Sequence, residues 1–149
     1  MTHDVIPFDS FPSDHRVQEL FAAALAVQSR AYAPYSHFPV GAAILSPSGR
    51  IHVGCNVENA AYPVGSCAEA GAISAMIAGG DHEITALVTI CDSEGIGTCC
   101  GGCRQRVREF AGLSTPIYAC GPHGVRAVFT MDQMLPSSFG PDHLDGFRS

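Results

Sequence analysis

The chain has 149 residues, 46 % of them hydrophobic and 15 % charged, which is enough for one compact domain and too apolar for a disordered chain. Its formal net charge is −6, with only eight Lys and Arg. That balance argues against polymeric RNA or DNA as a partner, because proteins that grip phosphates carry a basic stripe.

We expect a single domain over residues 1–149, with residues 1–13 as an irregular lead-in containing Pro7 and Pro12. Ser13 or Asp14 can cap a first helix in which Val17, Leu20, Phe21, Ala24 and Leu25 recur at helical spacing. Ala33-Pro34-Tyr35-Ser36 is expected to stop that helix, since proline disfavours helical geometry in the residue before it. Strands follow at Val40–Leu45 and Ile51–Cys55, joined as a hairpin by Ser46-Pro47-Ser48-Gly49. A loop from Asn56 to Gly65 leads to a second helix over Ser66–Ala78, stopped by Gly79-Gly80.

Ala86–Cys91, apolar except for Thr89, reads as a strand covered on both faces. The Gly95–Cys100 loop opens a third helix ending near Phe110, and short strands follow at Ile117–Cys120 and Val125–Thr130. Arg104, Arg106 and Arg108 on the third helix read as a solvated face. The prolines of the tail, Pro136 and Pro141, argue against long regular structure there. This order predicts an α/β fold, with a mixed sheet between helical layers.

The seven cysteines are an odd number, and Met1–Ser13 lacks the basic and long apolar regions of a signal peptide. No run approaches the ~18 apolar residues of a membrane span. We expect a soluble, cytoplasmic protein with reduced thiols and no membrane partner.

Two cysteine clusters stand at helix starts: Cys67-Ala68-Glu69 and Cys100-Gly101-Gly102-Cys103. Two strand-to-helix turns of one sheet can face each other, which would gather the thiols of Cys67, Cys100 and Cys103. A catalytic zinc takes three protein ligands and keeps one position open for water. Helix N-termini favour the thiolate form that binds metal. Glu69, two residues beyond Cys67, could reach the water without being a ligand. A redox pair at Cys100/Cys103 and a closed structural zinc, with Cys91, Cys99 or His82 as fourth ligand, remain alternatives. Cys55, Cys91 and Cys120 read as structural thiols, and none of the seven histidines has a paired ligand spacing.

Cys-x-Glu followed by x-Cys-x-x-Cys is close to the zinc-deaminase signature. Ala31-Tyr32-Ala33-Pro34-Tyr35-Ser36-His37-Phe38-Pro39-Val40-Gly41-Ala42-Ala43 resembles the opening of the small cytidine deaminases. Asn56-Val57-Glu58-Asn59-Ala60-Ala61-Tyr62, Cys103-Arg104-Gln105, and Leu135-Pro136 through Phe139 continue the likeness. It runs from Val17 to Leu144.

The resemblance implies a three-layer α/β/α subunit with a mixed, mostly five-stranded sheet, in a homotetramer whose active sites are shared. It implies one zinc per subunit and hydrolysis of cytidine or deoxycytidine to uridine or deoxyuridine plus ammonia, as in pyrimidine salvage. Asn56 and Glu58 would bond the ribose hydroxyls, and Phe38 would pack on the nucleoside. Phe139 would reach a neighbouring subunit's pocket, with Tyr62 near that boundary. The backbone at Ala68, Thr98 and Cys100 would read the base edge and leaving amine. A modified cytosine nucleoside, a cytosine-bearing antibiotic or a non-catalytic zinc-binding role are the alternatives.

Two positions depart from the family pattern. Ala70 stands where an arginine usually follows Cys-Ala-Glu, which leaves three alternatives: slower turnover, charge compensation from elsewhere (the two helix N-termini and Arg104), or an altered substrate. Cys99 stands where proline is usual, and we expect it to pack and not to ligate.

Overall fold

The computed structural model describes residues 13–147, with side chains described through Leu144. The lead-in expected over residues 1–13 therefore lies, Ser13 apart, outside the described residues.

The helix α1 spans His15–Gln28, capped by the Asp14 carboxylate, which accepts from the Arg16 N–H at 2.9 Å. Strands β1 (Val40–Leu45) and β2 (Ile51–Cys55) form the expected hairpin. Helix α2 (Ala68–Ala78), strand β3 (Ala86–Cys91), helix α3 (Gly101–Phe110), and strands β4 (Pro116–Gly121) and β5 (Gly124–Thr130) follow. A four-residue helix α4, Met131–Met134, precedes 3-10 turns over Pro141–Phe147.

One mixed sheet of order β2-β1-β3-β4-β5 is formed, parallel only between β3 and β4. The period of two along a strand sorts β3 cleanly. Ala86, Val88 and Ile90 pack with Val17, Leu20, Phe21 and Ala24 of α1. Leu87 turns the other way, into a core shared with Ala72, Met76, Cys103 and Val107 of α2 and α3. The result is a three-layer α/β/α sandwich with apolar cores on both sheet faces, as expected.

The topology also explains how two distant cysteine clusters meet. Both β2 and β3 run antiparallel to β1, so their C-terminal ends lie on one edge of the sheet, across Gly41 from each other. The helices that follow, α2 and α3, therefore begin at the same edge. Gly54 of β2 lets α2 lie against the strand, because a Cβ there would overlap Ala72 N and Ala68 O.

Two sequence-based expectations need correction, the stop of α1 and the arginines of α3. The first helix ends at Gln28, before Pro34 is reached. Tyr32 is drawn instead into a parallel bridge with Val57, donating to Asn56 O and accepting from Glu58 N. After β5 the described residues hold only one short α-helix, α4, fixed by a capping box in which Thr130 and Gln133 each bond the other's backbone N–H.

Of the three arginines of α3 expected on a solvated face, only Arg106 is exposed. Arg108 is buried, bonding Ser138 Oγ at 2.8 Å and pairing with Asp142 at 2.6 Å. Arg104 is half-buried and bonds Cys99 O, Met134 O and Thr98 Oγ1.

Candidate active site

Cys67 and Cys100 are the N-cap residues of α2 and α3, both extended, and neither spends its side chain on a cap. One turn into α3, Cys103 points back to them. The three Sγ atoms lie within 4.8 Å of one another, and Cys67 and Cys100 are 4.0 Å apart. A tetrahedral zinc with Zn–S bonds of about 2.3 Å holds its thiolates roughly 3.8 Å apart, so the donor set fits that ion.

Electrostatics point the same way. Burial pushes the Cys103 thiol far up, and burial also raises Cys67, while the backbone N–H of Cys103 pulls Cys100 down. Three crowded thiols cannot all ionise beside each other and beside Glu69 unless a cation offsets them. Among the described residues no fourth ligand joins the group. His82 lines a separate depression at the end of α3 with Arg108 and Leu113. Cys99 is buried in the core against Cys103 and α2, so it packs as expected; burial foremost, and the Glu69 charge next, push its thiol up. A tetrahedral ion on this set keeps one open position, which the closed structural reading lacks.

Glu69, in the first turn of α2, is only 5 % exposed. The dipole of α2 favours a carboxylate there. It opens on a cavity of about 240 Å³ that also carries Cys67 and Cys100 on its wall. Four further residues singled out from sequence, Phe38, Asn56, Ala68 and Thr98, line the same space.

Others stand apart. Asn56 spends both ends of its amide on the entrance segment, donating to Phe38 O at 2.9 Å and accepting from Val40 N at 2.8 Å. Glu58 lies in a neighbouring depression with Tyr35, Tyr62 and Gly65, and its carboxylate accepts from the Tyr35 and Ser36 N–H groups. Hydrogen bonding from Ser36 holds that carboxyl below its usual range. Tyr62 is 74 % and Phe139 58 % exposed, and Phe139 stacks on His143, away from the cavity of its own chain.

Sequence reasoning missed Val40, Thr89, Ile90, Cys91 and Gly97, which complete the cavity wall. They belong to strand ends and a loop, so only the register of β1 and β3 could reveal them. Arg104 gives its guanidinium to Cys99 O, Met134 O and Thr98 Oγ1. It braces the loop that carries Cys100.

The family model for the cytidine and deoxycytidylate deaminase zinc-binding region matches residues 14–120. The chain belongs to this deaminase family. A cytidine deaminase from Sporosarcina psychrophila is 39 % identical over 128 residues, covering 86 % of this chain and 94 % of that protein. Among solved structures, the cytidine deaminase from Burkholderia pseudomallei superposes with a TM-score of 0.78 at 35 % identity, over 85 % of this chain and 99 % of its own. That from Mycobacterium leprae gives 0.72 at 40 % identity, over 83 % and 100 %. The cofactor of this zinc-binding deaminase family, one zinc per subunit, suits the Cys67/Cys100/Cys103 cluster.

Proposed function

We propose that the chain hydrolyses cytidine and deoxycytidine to uridine and deoxyuridine with release of ammonia. The observation that carries this reading is the three-thiol cluster with one coordination position to spare, two of whose thiols, Cys67 and Cys100, line the same cavity of about 240 Å³ as the buried Glu69.

Cys67, Cys100 and Cys103 would hold zinc, whose Lewis acidity eases ionisation of a water toward neutral pH. Glu69 is the catalytic acid–base group: it accepts a proton from that water and hands it to N3 of the pyrimidine as oxygen bonds to C4. Glu69 then takes the second proton, from the hydroxyl now on C4, and passes it to the amine as C4=O forms and the C4–N bond breaks, so one water is consumed and one ammonia leaves. The backbone at Ala68, Thr98 and Cys100 reads the base edge, and Phe38 covers the base. Asn56 and Glu58, which hold the Tyr35–Val40 segment, are assigned to the ribose hydroxyls. A buried polar site of this kind discriminates against ligands that leave its groups unpaired.

Tyr62 and Phe139 are assigned to a boundary between copies in a homotetramer, supported by their exposure and distance from the cavity of their own chain. We further assign the chain to one domain and to a cytoplasmic role in pyrimidine salvage. No helix among the described residues is long and apolar enough to cross a membrane.

Zinc-loaded protein is expected to release ammonia from cytidine with the matching ultraviolet change, while Glu69→Ala keeps its zinc and loses roughly 10²- to 10⁴-fold or more in rate. No conversion by folded, zinc-replete wild type would refute the reading. Sedimentation of the same sample reports the oligomer, and a monomer at assay concentration would remove the shared-site assignment for Phe139.

A further inference from the structure

Thr89 lies in the central strand β3, between Ala42 of β1 and Ala119 of β4. Alternation along the strand puts its side chain on the same face as Leu87, toward α2 and α3. Only 4 % of it is exposed. No hydrogen bond from another described residue reaches its hydroxyl. Nor is that hydroxyl sealed away, since among the described residues only Ser46 Oγ is both enclosed and without a partner. The space it opens on is the cavity it lines with Glu69 and Cys67.

Its neutral polar neighbours on that wall each have at least one protein partner. Asn56 has both ends of its amide on the backbone of Phe38 and Val40, and the Thr98 hydroxyl accepts from Arg104 at 2.9 Å. Phe38 and Val40 offer carbon. Packing does not call for oxygen at position 89, because valine has the same branched shape and strand preference without the polar atom. A hydroxyl buried this deeply is costly unless something pairs with it. Only what enters the cavity can do so.

We propose that the Thr89 hydroxyl is a binding contact for the cytosine nucleoside, pairing with a polar atom of the ligand on the β3 wall. This rests on the deaminase reading given above. It makes Thr89 a determinant of how tightly this chain holds its substrate, beside the groups that perform the chemistry.

The test measures binding without turnover. Zinc-loaded Glu69→Gln protein is titrated with cytidine and with deoxycytidine by calorimetry, carrying Thr89, Thr89→Val or Thr89→Ser. Loss of one neutral hydrogen bond is worth about two- to tenfold in affinity, so Thr89→Val is expected to weaken both ligands by about that factor. Thr89→Ser, which keeps the hydroxyl, is expected to bind within about twofold of Thr89. Melting temperatures of the three proteins should agree, and Thr89→Ala replaces the valine variant if that one does not fold.

Equal affinity in Thr89→Val overturns the proposal and leaves the hydroxyl to a resident water. Equal weakening by valine and serine overturns it too, since that is a packing effect. Failure of the deaminase reading itself looks different: wild type then turns over neither nucleoside, and the Glu69→Gln protein binds neither, whatever stands at position 89.

Discussion

The two ends of α2 use polar groups in opposite ways. At its C-terminal end the chain turns through Gly79 and Gly80, and Asp81 is saturated. Its carboxylate takes His52 Nε2 and Ser48 Oγ, each at 2.8 Å, and Arg50 at 3.1 Å. Gly79 makes room for this, since a Cβ there would come within 2.9 Å of the His52 ring. At the N-terminal end, Cys67 caps without using its thiol and the buried Glu69 makes no ion pair among the described residues. The Thr89 hydroxyl on the same cavity wall has no hydrogen-bond partner among the described residues. The saturated end ties β2 to the helix. The unsaturated end keeps its bonding capacity for a metal and a ligand, and that contrast separates structure from chemistry here.

Breaking the N-terminal end should give the largest effect. Cys67→Ser removes a soft ligand from the zinc set, so bound zinc measured by mass spectrometry and ammonia release should fall together, by about 10²-fold or more in rate as for loss of the general base. Full zinc occupancy with full activity would show that Cys67 is not a ligand.

The C-terminal end should respond in stability and not in turnover. The hydrogen bond from His52, with those from Ser48 and Arg50, holds the Asp81 carboxyl down at about 2, below its ordinary 3.8. A depressed carboxyl stabilises the fold above its unfolded pKa and loses that contribution as pH falls through the folded value. Asp81→Asn should therefore lower the melting temperature at pH 7 and leave the turnover per zinc unchanged. The gap to wild type should narrow below about pH 4 and close near pH 2. A gap that persists at the acid end would assign the effect to packing and not to charge.

The smallest effect sharpens the comparison from outside both ends. Asp14→Ala removes the cap of α1, on the sheet face that carries no chemistry, and should cost about 1 kcal/mol in denaturant unfolding. Kinetic constants should stay as in wild type.

Much of this was legible along the chain. The bounds of β1, β2 and β3 follow from their apolar runs and the turn residues between them, because strands of that length have few other ways to bury such a pattern. The zinc set and Glu69 follow from thiol spacing at two helix starts. The end of α1 did not, because what unwinds the chain after Gln28 is a bridge between Tyr32 and Val57, made with a segment distant in sequence. The helix α4 was readable in principle from the Thr130 and Gln133 capping pair, yet the prolines around it dominate a local reading. Arg108 looked like one charge among several on an exposed helix until the tail folded Asp142 and Ser138 over it.

By itself, then, the sequence determined which groups could bind zinc and move a proton, since ligand chemistry and helix position are local properties. Tertiary structure decided what those groups face. Only the antiparallel pairing of β1 with both β2 and β3 brings Cys67 to Cys100. Only the register of β3 turns Thr89 into the cavity and Ile90 onto α1. Pairing across a sheet depends on partners far apart in the chain, and a slip of one residue would reverse every side chain on the strand.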